Sequence, residues 1–288
     1  MEHESTRQCP NCEAQINDDA VLCIQCGFNV RTEEGIPAEF NFKETGSANS
    51  VDVGGWIALA IGLALALSVS FIPLLGPTLS SLTILVHEIG HAATSWLFGY
   101  PAIPAFDFSH GGGISSHFGR STFILIILLL AQVGLIFAAR KSKRLMGTAI
   151  GLSVLWALAA FTELRWILIL FMGHGMELII AGVFIYRAIS GASIENRYER
   201  PLYAMTGFFI VGHDLNFAWG VMHRARDRFD YLQGKGGMAH DFVRLANDHL
   251  HAHLKSVLFV FFILCFLPPV LSFLYHRYRE SIVGVFHD

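Results

Sequence analysis

Apolar residues run in long blocks from residue 54 onward, broken by short polar or proline-bearing stretches. About seven blocks are long enough, or nearly so, to cross a bilayer. They cover 54–75, 78–98, 121–139, 147–161, 166–189, 201–221 and 255–275. Pro73, Gly76 and Pro77 break the first from the second. Arg140, Lys141, Lys143 and Arg144 separate the third from the fourth. Residues 162–165, TELR, divide the fourth from the fifth, unless the two run on as one tilted or broken helix.

Two connections are long. Residues 99–120, GYPAIPAFDFSHGGGISSHFGR, alternate in polarity and carry prolines and three consecutive glycines. That pattern predicts short strands and tight turns. Residues 222–254 are charged and rich in histidine, and their second half has the spacing of an interfacial amphipathic helix. His249, His251 and His253 alternate, share no helix face, and read as solvated. Ahead of the apolar blocks, residues 36–52 are polar and read as a linker behind a small cysteine-bearing unit, 1–35. The expected fold is therefore mainly α: a polytopic transmembrane bundle of about six or seven helices over 53–288, with a short β-hairpin loop and a small N-terminal metal-binding unit.

Composition agrees with the pattern. Hydrophobic residues make up 53% of the 288 and charged residues 15%, against roughly a quarter charged in soluble domains. A net charge of −3 provides no basic field, so no nucleic-acid partner is expected. The polar first fifty residues lack the apolar core of a signal peptide, so the first membrane segment is expected to be internal and retained.

The stretch CPNCEAQINDDAVLCIQCGFNVRT carries Cys9 and Cys12, then Cys23 and Cys26, at the same spacing. Two CxxC knuckles aim four thiolates at one point, the closed tetrahedral geometry of structural Zn²⁺. A pair of disulfides is the alternative. The segment resembles the small zinc ribbons found at the ends of bacterial membrane proteins, with Glu13 where a Gly commonly follows the first knuckle. A unit of this size cannot build a core without its metal.

In the second apolar block, ILVHEIGHAATSWLF places His87 and His91 four apart on one helix face, with Glu88 beside them. This is HExxH, in which two imidazoles hold zinc and the Glu takes a proton from the water. A charged side chain near the bilayer centre costs about 2.5–3.5 kcal/mol on insertion scales. Three polar residues in five positions therefore call for something to coordinate; a buried His/Glu hydrogen-bond cluster is the plainer reading. Gly90 permits close approach of a second helix.

A membrane-embedded HExxH followed by LFGYPAIPAFDFSHGGG resembles the site-2 protease family of intramembrane zinc metalloproteases, over about residues 78–220. The resemblance implies a β-hairpin that aligns an unwound substrate segment by strand addition, a part falling to Pro101–Phe108. It also implies a third zinc ligand, an Asp usually followed by Gly on a later helix, but the chain has no Leu-Asp-Gly. Two intramembrane pairs are the candidates. Glu177 is favoured, with His174 as a further ligand or as donor to the developing oxyanion. Asp214, with His213 beside it, is the alternative. His110 and His117 lie in the hairpin loop and are assigned no role.

The expected activity is that of an intramembrane zinc endopeptidase. It would hold one catalytic and one structural Zn²⁺ and act on transmembrane segments of membrane proteins. Its surroundings would be the bilayer of a bacterial inner membrane, with the ribbon in the reducing cytoplasm and open to a protein partner there. Lys and Arg are nearly balanced between the two sides and do not decide orientation. A membrane metalloenzyme acting on a lipid or small substrate, or a non-catalytic scaffold using the ribbon, are the alternatives.

Overall fold

The computed structural model describes residues 6–17, 20–21, 23, 28–30, 34–35, 50–69, 71–106, 112–192, 194, 196, 198–234 and 238–287. The chain divides into two compact units, Met1–Ala48 and Asn49–Asp288.

The first unit holds two small antiparallel hairpins, β1 (Thr6–Gln8) with β2 (Gln15–Asn17) and β3 (Phe28–Asn29) with β4 (Glu34–Gly35). The turn after β1 is tied by backbone bonds between Cys9 and Ala14 and between Glu13 and Cys9, with Glu13 left-handed at φ 60°. Cys9 and Cys23 are buried, and the Cys12 and Cys23 sulfurs lie 3.7 Å apart. That separation is well beyond a disulfide bond. Cys26 lies outside the described residues.

The second unit is mainly helical. Its elements are α1 (Val53–Val69), α2 (Leu75–Leu97), β5 (Ala102–Phe106), β6 (Gly113–His117), α3 (Thr122–Ala138), α4 (Lys143–Phe161), α5 (Leu164–Ser190) and α6 (Glu199–His223). After these come α7 (Ala225–Gln233), α8 (Asp241–Arg244), α9 (Leu254–Leu264) and α10 (Leu267–His287). Each apolar block of the sequence thus folds as helix. Ser121 and Ser142 cap α3 and α4 by accepting from Ile124 and Leu145 backbone amides. Thr162 leaves helical geometry, so TELR is a break between α4 and α5. Pro268 and Pro269 sit in the first turn of α10, where no intrahelical donor is lost.

Four stretches are long and apolar enough to cross a membrane: Thr122–Lys141, Lys143–Phe161, Leu164–Ser190 and Leu254–Ile282. α1 is apolar but shorter. α3 buries no residue, and Phe123 is 71% exposed. A helix that is apolar all round and packs so little is built to face lipid.

α5 is the centre of the unit, packing against α2, α6 and α10. α2 passes close to it where Gly90 faces the Met172 carbonyl. β5 and β6 form one antiparallel hairpin in which Ala102 pairs with His117 and Pro104 with Ser115. The hairpin lies on α2. Trp96 Nε1 donates to the Ala102 carbonyl at 2.8 Å, and Ser95 Oγ bonds His117 Nδ1 at 2.9 Å. Asp107, Phe108 and His110 at its tip lie outside the described residues.

Candidate metal centre

HExxH lies in the middle of α2, on the face turned to α5. His91 Nδ1 donates to the Ile169 carbonyl at 2.7 Å. His87 Nδ1 faces Glu177 Oε1 at 3.4 Å. A proton on each Nδ1 leaves each Nε2 as a lone pair. The two Nε2 atoms stand 2.9 Å apart, and each is 3.1 Å from Oδ2 of Asp241. In those tautomers the three atoms are all acceptors, an arrangement that a cation would satisfy. Ligands about 2.0 Å from a tetrahedral zinc stand about 3.3 Å from one another. Two imidazoles and a carboxylate with a fourth position left over match the open donor set of catalytic zinc sites.

Gly173 on α5 makes this packing possible. A Cβ there would lie 2.5 Å from Nε2 of both His87 and His91. The glycine is helical, so its use is space and not backbone freedom.

Asp241 comes from outside the apolar segments, at the first residue of α8. Its neighbour Phe242 is fully buried among Leu170, Val221, Leu245, Leu258 and Phe261. Tyr231 Oη on α7 accepts from the Phe242 amide at 3.3 Å, and the Tyr231 ring stacks on His240 at 4.5 Å.

Glu88 is buried beside the centre, 7% exposed. Its Oε2 accepts from Ser115 Oγ at 2.6 Å, and β6 runs so close that Gly113 lies against the same side chain.

Glu177 and His174 occupy the other edge of His87. His174 Nδ1 is 2.6 Å from Glu177 Oε2 and 3.2 Å from Asp214 Oδ1. All three residues are buried. The other oxygen of Asp214 has no partner among the described residues. Glu177, His174 and Asp214 are thus gathered into one cluster, but it meets the Nδ1 side of His87. His87, His174 and Glu177 also lie close enough together to hold an ion. His213 turns to Phe209, with its Nδ1 unpaired among the described residues.

Asp241 is the residue that reading the sequence misses. Its signal is Phe242, Leu245 and Ala246, apolar at helical spacing beside an acid in an otherwise charged connection.

Compared with family models, curated proteins and solved structures, the chain matches none.

Proposed function

We propose that the chain is a multi-pass membrane zinc endopeptidase of the site-2 protease kind, with His87, His91 and Asp241 as ligands of the catalytic metal. The observation that carries this reading is the convergence of His87 Nε2, His91 Nε2 and Asp241 Oδ2, each pair 2.9–3.1 Å apart, with Glu88 next to His87 in sequence. On this assignment Glu177 is a partner of His87, and Asp214 lies one residue further out. Zinc bound there would polarise the scissile carbonyl and make water acidic enough to ionise near neutral pH. Glu88 takes the proton of the attacking water and delivers it to the leaving amine. Ser115 keeps the Glu88 carboxylate aimed while it does so. A substrate strand added along β5 would join the hairpin whose other strand, β6, bonds Glu88 through Ser115.

Seven helical passes fit the apolar segments, counting α1, α2 and α6, with α9 and α10 as one. The polar centre in α2 and α5 suits a cavity lined by protein and not by lipid. In the first unit, Cys9, Cys12 and Cys23 lie within ligand distance of one another, and Cys26 supplies the fourth thiolate of a structural zinc ribbon on the cytoplasmic side of a bacterial inner membrane. The substrate is the transmembrane segment of another membrane protein, and the ribbon is free to bind a protein partner.

The test is metal content and cleavage of a transmembrane peptide by purified protein, Glu88→Gln and His91→Ala. About two zinc per wild-type chain, about one in His91→Ala, and no cleavage by Glu88→Gln with both metals kept support the reading. One zinc throughout refutes it. One iron beside the ribbon zinc would instead point to the oxygen chemistry that two histidines and a carboxylate also serve.

A further inference from the structure

His174 is outside the proposed ligand set, yet it contacts the supports of two of the three ligands. On one side its Nδ1 donates to Glu177 Oε2 at 2.6 Å, while Glu177 Oε1 faces His87 Nδ1 at 3.4 Å. On the other side its ring lies flat on Phe242, centroids 4.8 Å apart and planes 7° from parallel. Phe242 is joined to Asp241 through the backbone. The His174 ring also meets His87 edge-on at 4.5 Å. Asp214 Oδ1 takes the second share of the same Nδ1–H, which fixes the ring's rotation.

We infer that His174 is a positioning residue that sets two ligands of the metal at once: His87 through Glu177, and Asp241 through Phe242. The inference rests on the ligand set proposed above. The first arm is a carboxylate–histidine–metal relay. Glu177 holds the His87 proton on Nδ1, turns Nε2 to the metal and raises its donor strength. The Nδ1–H of His174 in turn stops the Glu177 carboxylate from rotating away. The second arm is packing. Asp241 is the first residue of its helix, which runs on only as a π-helical stretch over Leu245–His249, so the aromatic contact beneath Phe242 sets how far the carboxylate reaches. With Leu170, His174 is where α5 meets the segment that supplies the third ligand.

The two arms separate by substitution. His174→Asn keeps an N–H near the position of Nδ1 and loses the ring. His174→Phe keeps the ring and loses the donor. Glu177→Gln keeps the shape and removes the relay charge. The probe is zinc itself, titrated against a chelator in full-length purified protein, with the cobalt-loaded absorption spectrum as a second readout. Gel filtration and thermal melting show that each variant is folded.

Loss of a supporting partner of a metal ligand typically weakens affinity about 10–100-fold. His174→Phe and Glu177→Gln should each fall in that range at the second zinc, with the ribbon zinc unchanged. His174→Asn should lie between them and wild type. Each should shift the cobalt d–d bands, which a variant that merely loosened the fold would not do. Wild-type affinity and spectrum in both His174→Phe and Glu177→Gln would overturn the inference and leave the ligand set standing. Loss of the second zinc in Glu177→Gln as complete as in His87→Ala would overturn it differently, by making Glu177 a ligand. A wild-type chain that binds only one zinc would remove the ligand set beneath it.

Discussion

Ser115 donates its hydroxyl to Glu88 at 2.6 Å, joining the second hairpin strand to the acid of HExxH. The strand pair and the carboxylate are therefore one mechanical unit: a substrate strand that moved the hairpin would move Glu88. Ser115→Ala removes the bond without touching a ligand. A general base contributes about 10²–10⁴-fold to rate, and losing its aim alone should forfeit about tenfold of that. The expected outcome is a lower kcat on a transmembrane peptide with both zinc equivalents retained. An unchanged kcat would mean that Glu88 is held by its helix alone.

Asp241 and the Glu177–Asp214 pair make opposite predictions. Asp241→Ala should remove the second zinc as fully as His91→Ala does. Asp214→Asn, which keeps an oxygen near His174, should retain that zinc. Metal analysis of the three variants decides the matter, and a chain that loses zinc with Asp214 but not with Asp241 would restore Asp214 to the ligand set.

The two sets of candidates differ in what the sequence carries about them. HExxH is legible because its geometry is local: four residues along one helix bring two imidazoles together whatever the rest of the chain does. The apolar blocks are legible because a bilayer demands length and composition more than specific contacts. The partner of His87 and His91 lies about 150 residues away in sequence and is a tertiary fact. Restricting the search to intramembrane acids on electrostatic grounds selects Glu177 and Asp214. It cannot see that Phe242 anchors a short external helix in the core and carries Asp241 with it. Glu177 is still picked out for a physical reason, since a buried carboxylate needs a partner, and His87 and His174 are that partner.

Gly173 is a space requirement set by two side chains from another helix. Gly173→Ala would place a methyl group 2.5 Å from Nε2 of both His87 and His91. In an exposed helix the same change would stabilise by about 0.5–1 kcal/mol. Here the imidazoles must turn away, and the second zinc should be lost while helix content by circular dichroism stays the same. Retention of two zinc per chain would mean that α2 and α5 can part enough to admit the methyl group.

The end of α5, which carries Gly173, His174 and Glu177, is fastened by one arginine. Arg200 donates from Nη2 to Asp52 Oδ1 at 2.6 Å and from Nη1 to Asp52 Oδ2 at 2.9 Å. It also donates from Nε to the Ala188 carbonyl and from Nη2 to the Ile189 carbonyl, at 3.0 and 2.9 Å. One side chain thus ties the start of α1, the last turn of α5 and the start of α6. The hydrogen bonds from Arg200 hold the Asp52 carboxyl below its ordinary value, although partial burial opposes them. A carboxyl whose folded pKa is depressed contributes stability that is fully present above the unfolded value of about 4. That contribution is lost as pH falls through the lower folded value. Solvent reaches Asp52, so the effect is modest. Asp52→Asn should lower the melting temperature at pH 7 and remove part of the decline that wild type shows on acidification from about pH 5 to pH 3. Arg200→Met should do the same and cost more, because two carbonyls at the end of α5 lose their donor as well. Parallel melting curves for Asp52→Asn and wild type across that pH range would show that the ion pair does not hold the helices together.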